Sequence, residues 1–134
     1  MTPEELEEFL SRPLVVTFTT IRGDGSPHVS PIWYEHDEGK FYCWVDADSV
    51  KARNIRGDPR VALCIATHDE PHRYVLAEGL CEIVREGVPQ RASSISARYY
   101  GEDRGRKFAR ETMESGEWVI LVTRPTKLLT ESAA

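Results

Sequence analysis

The chain has 134 residues, of which 40% are hydrophobic and 29% charged, proportions that fit one globular domain over residues 1–134 and exclude a disordered or fibrous protein. Its apolar runs, Val61–Ala66 and Trp118–Val122 among them, are too short to span a membrane. With 17 Lys and Arg against 22 Asp and Glu, the net charge of −5 opposes nucleic-acid binding by the whole surface but leaves room for a local basic patch.

Thr2-Pro-Glu-Glu predicts a helix over Thr2–Ser11, with an N-cap, a proline in the first turn and the apolar stripe Leu6, Phe9, Leu10. This acidic start is neither a signal nor a transit peptide, so a cytoplasmic chain is expected. Leu14–Ile21 is β-branched and aromatic, and Arg22-Gly-Asp-Gly-Ser-Pro27 is a hairpin turn. His28–Glu35 alternates, with Val29, Pro31 and Trp33 facing one way and Ser30, Ile32 and Tyr34 the other. A second turn, His36–Lys40, leads into Phe41–Val45, so three strands read as an antiparallel meander. Asp48 or Ser49 caps a short helix, Val50–Arg56, which Gly57-Asp-Pro59 ends. Arg60–Thr67 is a fourth strand, apolar enough to expect cover on both faces. Beyond the loop His68–His72, Arg73–Arg85 reads as a long strand bent or bulged at Gly79. Val88–Ser115 reads as helical with a break at Tyr100-Gly101, and Glu117–Thr123 is a last strand, whose tail Pro125 is expected to keep from continuing as a central strand. The fold class is mainly β with α decoration: six short strands in a small β-barrel.

Cys43, Cys64 and Cys81 stand far apart in apolar stretches, which points to reduced structural thiols. His68-Asp-Glu-Pro-His72 holds a histidine pair at i, i+4, but its proline breaks the helix a zinc-protease motif needs, and no metal site is expected. No nucleophile elbow, dinucleotide fingerprint or Walker loop occurs. Lys51, Arg53, Arg56 and Arg60 form a basic cluster at a capped helix start, which is either a phosphate or carboxylate site or a solvated face. Trp33, Tyr34, Tyr42, Trp44 and Trp118 place large rings on neighbouring strands, as core, as subunit interface, or as a flat wall for a planar heterocycle.

Three stretches in order carry a likeness to a known family: Phe18–Tyr34, Lys51-Ala-Arg-Asn-Ile-Arg through Leu63, and Tyr74-Val-Leu-Ala-Glu-Gly-Leu-Cys-Glu-Ile83. Together they resemble the flavin and deazaflavin oxidoreductases of the split β-barrel fold, relatives of pyridoxamine 5′-phosphate oxidase, over about residues 4–129. The likeness is strongest to the branch that uses coenzyme F420, a deazaflavin. It implies a six-stranded antiparallel split barrel and a homodimer with pockets at the subunit interface. By the same resemblance Ser49, Lys51, Arg53 and Asn54 belong to the cofactor's phosphate site, and His28, Ser30, Pro31, Ile32 and Trp33 to the pocket of its ring system. Phe41–Asp46 lacks the Arg-x-x-Leu-Leu-Lys type strand that holds the FMN phosphate in the oxidase branch, so FMN is the alternative cofactor.

The expected function is hydride transfer between reduced coenzyme F420 and a small organic acceptor, such as a quinone, a tetrapyrrole or an enone. The alternatives are an FMN-dependent enzyme of the pyridoxamine-phosphate-oxidase kind and a non-catalytic cofactor carrier. A nucleic-acid module is opposed by the acidic balance. No catalytic side chain is singled out; the proton donor is solvent, His28 or Tyr34.

Overall fold

Residues 1–132 are described by the computed structural model. The elements run α1 (Pro3–Leu10), β1 (Val16–Ile21), β2 (Pro27–Ile32), β3 (Glu35–Asp37), β4 (Lys40–Asp46), α2 (Val50–Gly57), β5 (Arg60–Ala66), β6 (Arg73–Val84), α3 (Val88–Tyr100), α4 (Glu102–Met113) and β7 (Trp118–Ser132). One antiparallel sheet of seven strands, in the order β2-β1-β5-β6-β7-β4-β3, curls into a half-barrel. The split-barrel expectation holds, with one strand more than the six predicted.

Helix α1 starts on a capping box: the Thr2 hydroxyl accepts from the Glu5 amide at 3.1 Å, and the Glu5 carboxylate accepts from the Thr2 amide at 3.2 Å. Phe9 and Leu10 seal the barrel interior, which is built from Val16, Phe18, Cys43, Val45, Leu63, Ile65, Val75, Val119 and Leu121.

The expected meander does not form. The run His28–Glu35 breaks after Ile32, and β3 pairs with β4 at the far edge of the sheet from β1 and β2. A second correction concerns β5, where Val61, Leu63 and Ile65 are buried but Ala62 and Cys64 are only half covered. The stretches covered on both faces are β4 and the first part of β7, since the α3–α4 hairpin packs Val88, Ala92, Ile95 and Ala109 onto Trp44 and Ile120.

Strand β7 runs on past Pro125, though not as a central strand, as expected. Residues 118–123 pair with β4 on one side, but beyond them the strand pairs with β6 alone, so the missing amide costs no ladder bond on the free side. Pro125 falls at the bulge beside Gly79, as expected for that glycine, and a side chain there would strike the Arg124 backbone. The predicted helical break is also found: Gly101, at φ +87°, separates α3 from α4.

Candidate functional site

Strand β2 lies at the edge of the sheet, so half of its backbone donors and acceptors face away from β1. His28, Ser30 and Ile32 are half-buried on its inner face, while Val29 and Pro31 are exposed. Antiparallel register sets His28 opposite Thr20 and Ser30 opposite Phe18.

Helix α2 is fixed against the same rung. Its Ala52 and Ile55 are buried, and Asn54 Nδ2 donates to Thr20 Oγ1 at 3.0 Å. Ser49 is the N-cap, accepting from the Ala52 amide at 3.2 Å. This docking leaves Lys51 half-buried, and among the described residues it has no ion-pair partner. Desolvation holds its ammonium below the usual lysine value. His28 is lowered too, by desolvation first and then by the positive charges of Arg22 and Lys51. On the inner face of β2, His28 Nδ1 and Ser30 Oγ are buried without a hydrogen-bond partner, and His28 feels the Lys51 charge. A strained cation and two orphaned polar atoms are what an anionic, hydrogen-bonding ligand would satisfy.

The rest of the basic cluster divides by use. Arg56 donates to the Ala47 carbonyl at 2.7 Å, tying the helix end to its entry loop. Arg60 forks onto Asp58 at 2.7 and 3.0 Å and draws that carboxyl down to about 2. Arg53 is exposed on α2 with no ion pair among the described residues.

Four residue steps of β2, about 13 Å, carry the strand from His28 to Ile32, with Trp33 next. There Ile32 and Trp33 enter an aromatic cavity of about 250 Å3, completed by Trp44, Phe108, Thr112 and Trp118. The Trp33 ring stacks on Tyr99 at 4.5 Å and 5°, and Tyr100 meets it edge-on at 5.0 Å. Tyr99 Oη donates to the Leu14 carbonyl at 2.7 Å and accepts from the Tyr34 amide at 3.0 Å. The Arg98 guanidinium donates to the carbonyls of Tyr34 and Arg12 at 2.9 Å and of Ser11 at 3.1 Å. These bonds pull the chain off β1 after Ile32 and set the angle of Trp33.

Tyr34 is fully buried, its hydroxyl facing the Leu10 and Arg12 carbonyls at 3.1 and 3.2 Å, and burial pushes its pKa up. It anchors α1. Burial likewise raises the thiols of Cys43 and of Cys81, the latter to about 12, so neither is a nucleophile. His72 Nε2 lies 3.0 Å from the His68 carbonyl in an exposed loop.

Sequence reasoning singled out Trp33, Trp44 and Trp118 but not Phe108, Thr112, Arg98 or Tyr99. Phe108 and Thr112 are four apart on α4 and share a face, yet nothing in the sequence said which strands that face would meet.

Away from the α3–α4 hairpin, the outer face of the sheet carries exposed apolar side chains. Val29, Leu80 and Leu129 are at least half exposed, and Leu76, at 37%, lies opposite Leu129 and beside half-buried Cys64.

A family model described as pyridoxamine 5′-phosphate oxidase matches residues 2–129. Among solved structures, a conserved hypothetical protein from Mycobacterium tuberculosis superposes with a TM-score of 0.87 at 28% identity, covering 98% of this chain and 85% of its own. A protein named as an F420 reductase superposes with a TM-score of 0.74 at 29% identity, over 92% of this chain and 94% of its own. The heme storage protein HutZ of Vibrio cholerae gives 0.77 at 14% identity over 98% and 96%, a likeness of fold alone.

Proposed function

The chain belongs to the pyridoxamine 5′-phosphate oxidase family, and from that membership we propose that it is an oxidoreductase moving a hydride between coenzyme F420 and a small organic acceptor. The observation that carries this reading is half-buried Lys51, without an ion-pair partner among the described residues, together with the orphaned His28 Nδ1 and Ser30 Oγ. A deazaflavin supplies the hydride chemistry when bound; the protein supplies position and a dry wall.

Lys51, with Arg53 and the amides at the α2 start beside Ser49, would hold the cofactor's phosphate. Asn54 would serve indirectly, because its bond to Thr20 fixes the helix. The free backbone edge of Ser30, Pro31, Ile32 and Trp33 would take the polar rim of the ring system. The length between His28 and Trp33 suits a ligand with a phosphate at one end and a flat ring at the other. His28, neutral at pH 7 by its lowered pKa, would accept a hydrogen bond or relay a proton from solvent.

The uncovered apolar face of β1, β5, β6 and β7 supports a homodimer, which would close the pocket from the second copy. A cytoplasmic setting suits such an enzyme. Among the described residues no helix is long and apolar enough to cross a membrane.

Equilibrium titration with coenzyme F420 and FMN side by side tests the assignment. F420 is expected to bind at least tenfold more tightly, about 1.4 kcal/mol, since β4 lacks a second phosphate-binding pair. Equal or reversed affinities would move the chain to the FMN branch. Tight binding without turnover by any acceptor would make it a carrier.

A further inference from the structure

We propose that Lys51 is a site of acylation: its amine takes the acyl group of a small acyl phosphate whose phosphate seats at the start of α2, and the resulting amide switches cofactor binding off. The proposal rests on the anion site described above, and its regulatory half on the cofactor reading.

Lys51 differs from the other lysines in its surroundings. The sequence has four, Lys40, Lys51, Lys107 and Lys127. Lys40 stands opposite Asp37 in the β3–β4 register, Lys127 opposite Glu78 in the β6–β7 register, and Lys107 Nζ lies 4.0 Å from Glu111. Each of these three has a carboxylate at hand that favours its ammonium. Lys51 is half-buried and makes no ion pair among the described residues, and the charge whose field meets its own at His28 is another cation, Arg22. Desolvation outweighs the one opposing influence, the Cys43 thiol, and holds the amine below the usual lysine value. A larger share of it is therefore the free base, the form that attacks a carbonyl carbon. The amine is not sealed in: the unpartnered buried atoms on this side are His28 Nδ1 and Ser30 Oγ, whereas Lys51 Nζ reaches solvent.

The surroundings also select the acyl donor. Ser49 takes the Ala52 amide, which leaves the first-turn amides before it to a ligand, and the Arg22 and Lys51 charges attract an anion to the same place. An acyl phosphate carries such an anion next to its reactive carbonyl. The Nζ lone pair attacks the acyl carbon, a C–N bond forms and the C–O bond to phosphate breaks. Phosphate leaves with that electron pair and with the proton shed by the amine, as hydrogenphosphate. Nothing is oxidised or reduced. The product amide carries no charge, so the contact that holds a phosphate is lost.

The test treats the cofactor-free chain with acetyl phosphate and follows acetylation at each lysine by peptide mass spectrometry. Lys51 should react about fivefold or more faster than each of the other three, and the preference should vanish in guanidinium chloride, where burial and the anion site are gone. Inorganic phosphate, added at constant ionic strength, should slow Lys51 about threefold or more and leave the others within about twofold. Protein acetylated at Lys51 should bind coenzyme F420 about tenfold or more weakly, as should Lys51→Gln. Lys51→Arg, which keeps the charge and cannot be acylated in this way, should stay within about threefold of wild type and lose nothing on exposure to acetyl phosphate. Lys51 reacting no faster than the other lysines, a preference that survives unfolding, or a rate that phosphate leaves unchanged overturns the proposal. So does undiminished F420 affinity in the acetylated protein. If the unmodified chain fails to bind F420 while the site-resolved rates behave as expected, the cofactor reading falls and the acylation site stands, its effect then read as lost affinity for inorganic phosphate.

Discussion

Lys51→Met separates a ligand-binding lysine from a solvated one, because the two roles move affinity and stability differently. The aliphatic part of the side chain is kept, so packing around half-buried residue 51 is preserved. A charge-assisted contact to a phosphate contributes about 1.5–3 kcal/mol, so coenzyme F420 affinity should fall about ten- to a hundredfold. Stability should not fall with it. Desolvation already lowers the Lys51 pKa, which means that the fold holds this cation against its preference for water. Removing the charge should leave the melting temperature unchanged or slightly raised, the sign of a residue kept for function. Fluorescence titration gives the affinities and calorimetry the melting temperatures. Salt should weaken the wild-type complex more than the variant's, since fewer ionic contacts remain to be screened. Arg85→Ala, which removes an exposed cation paired with Glu117, controls for net charge. Undiminished F420 binding by Lys51→Met at low salt would refute the reasoning, and a large drop in melting temperature would show Lys51 to be structural.

Three further outcomes follow from the geometry. The chain should sediment as a dimer of twice its 15.2 kDa mass, and Leu76→Glu on the uncovered face should shift it to monomer; a monomeric wild type at micromolar concentration would contradict the shared pocket. Arg98→Leu leaves the carbonyls of Tyr34, Ser11 and Arg12 short of a donor and should cost about 2 kcal/mol, seen as a melting temperature lower by roughly 5–10 °C; a change under about 2 °C would remove its role as the clamp on Trp33. His28 and His36 are both lowered by desolvation, so below the ordinary histidine value of about 6.5 the unfolded chain binds more protons than the folded one. Stability should therefore be full well above that value and decline as pH falls through it, less so in His36→Leu, and a rise on acidification would contradict the sign.

Local signals were legible wherever the physics is local. The Thr2 cap, the hairpin turn at Arg22–Pro27, the Gly79 bulge and the Gly101 break were each written in a few residues, and each is found. Strand order was not. The alternation of His28–Glu35 is unbroken in sequence, and only the Arg98 and Tyr99 bonds from a helix some 65 residues later separate β2 from β3. Pro125 was legible as a bar to a central strand, but that the chain would run on along β6 alone depends on a partner distant in sequence. The same division holds for the candidate site. The basic helix start and the ring-bearing strands could be read directly, whereas the sorting of the basic cluster needed the Ala47 carbonyl and Asp58 in place. The contribution of α4 to the cavity depends on how a helical hairpin packs, which no spacing encodes.

A crystal structure of the chain with coenzyme F420 bound tests the central claim most directly. The phosphate should lie within hydrogen-bond distance of Lys51 Nζ, with the deazaflavin ring along the edge of β2 from Ser30 to Trp33 and a new partner for His28 Nδ1 or Ser30 Oγ. Cofactor seated elsewhere, with Lys51 in solvent and those two atoms still unpartnered, would contradict it.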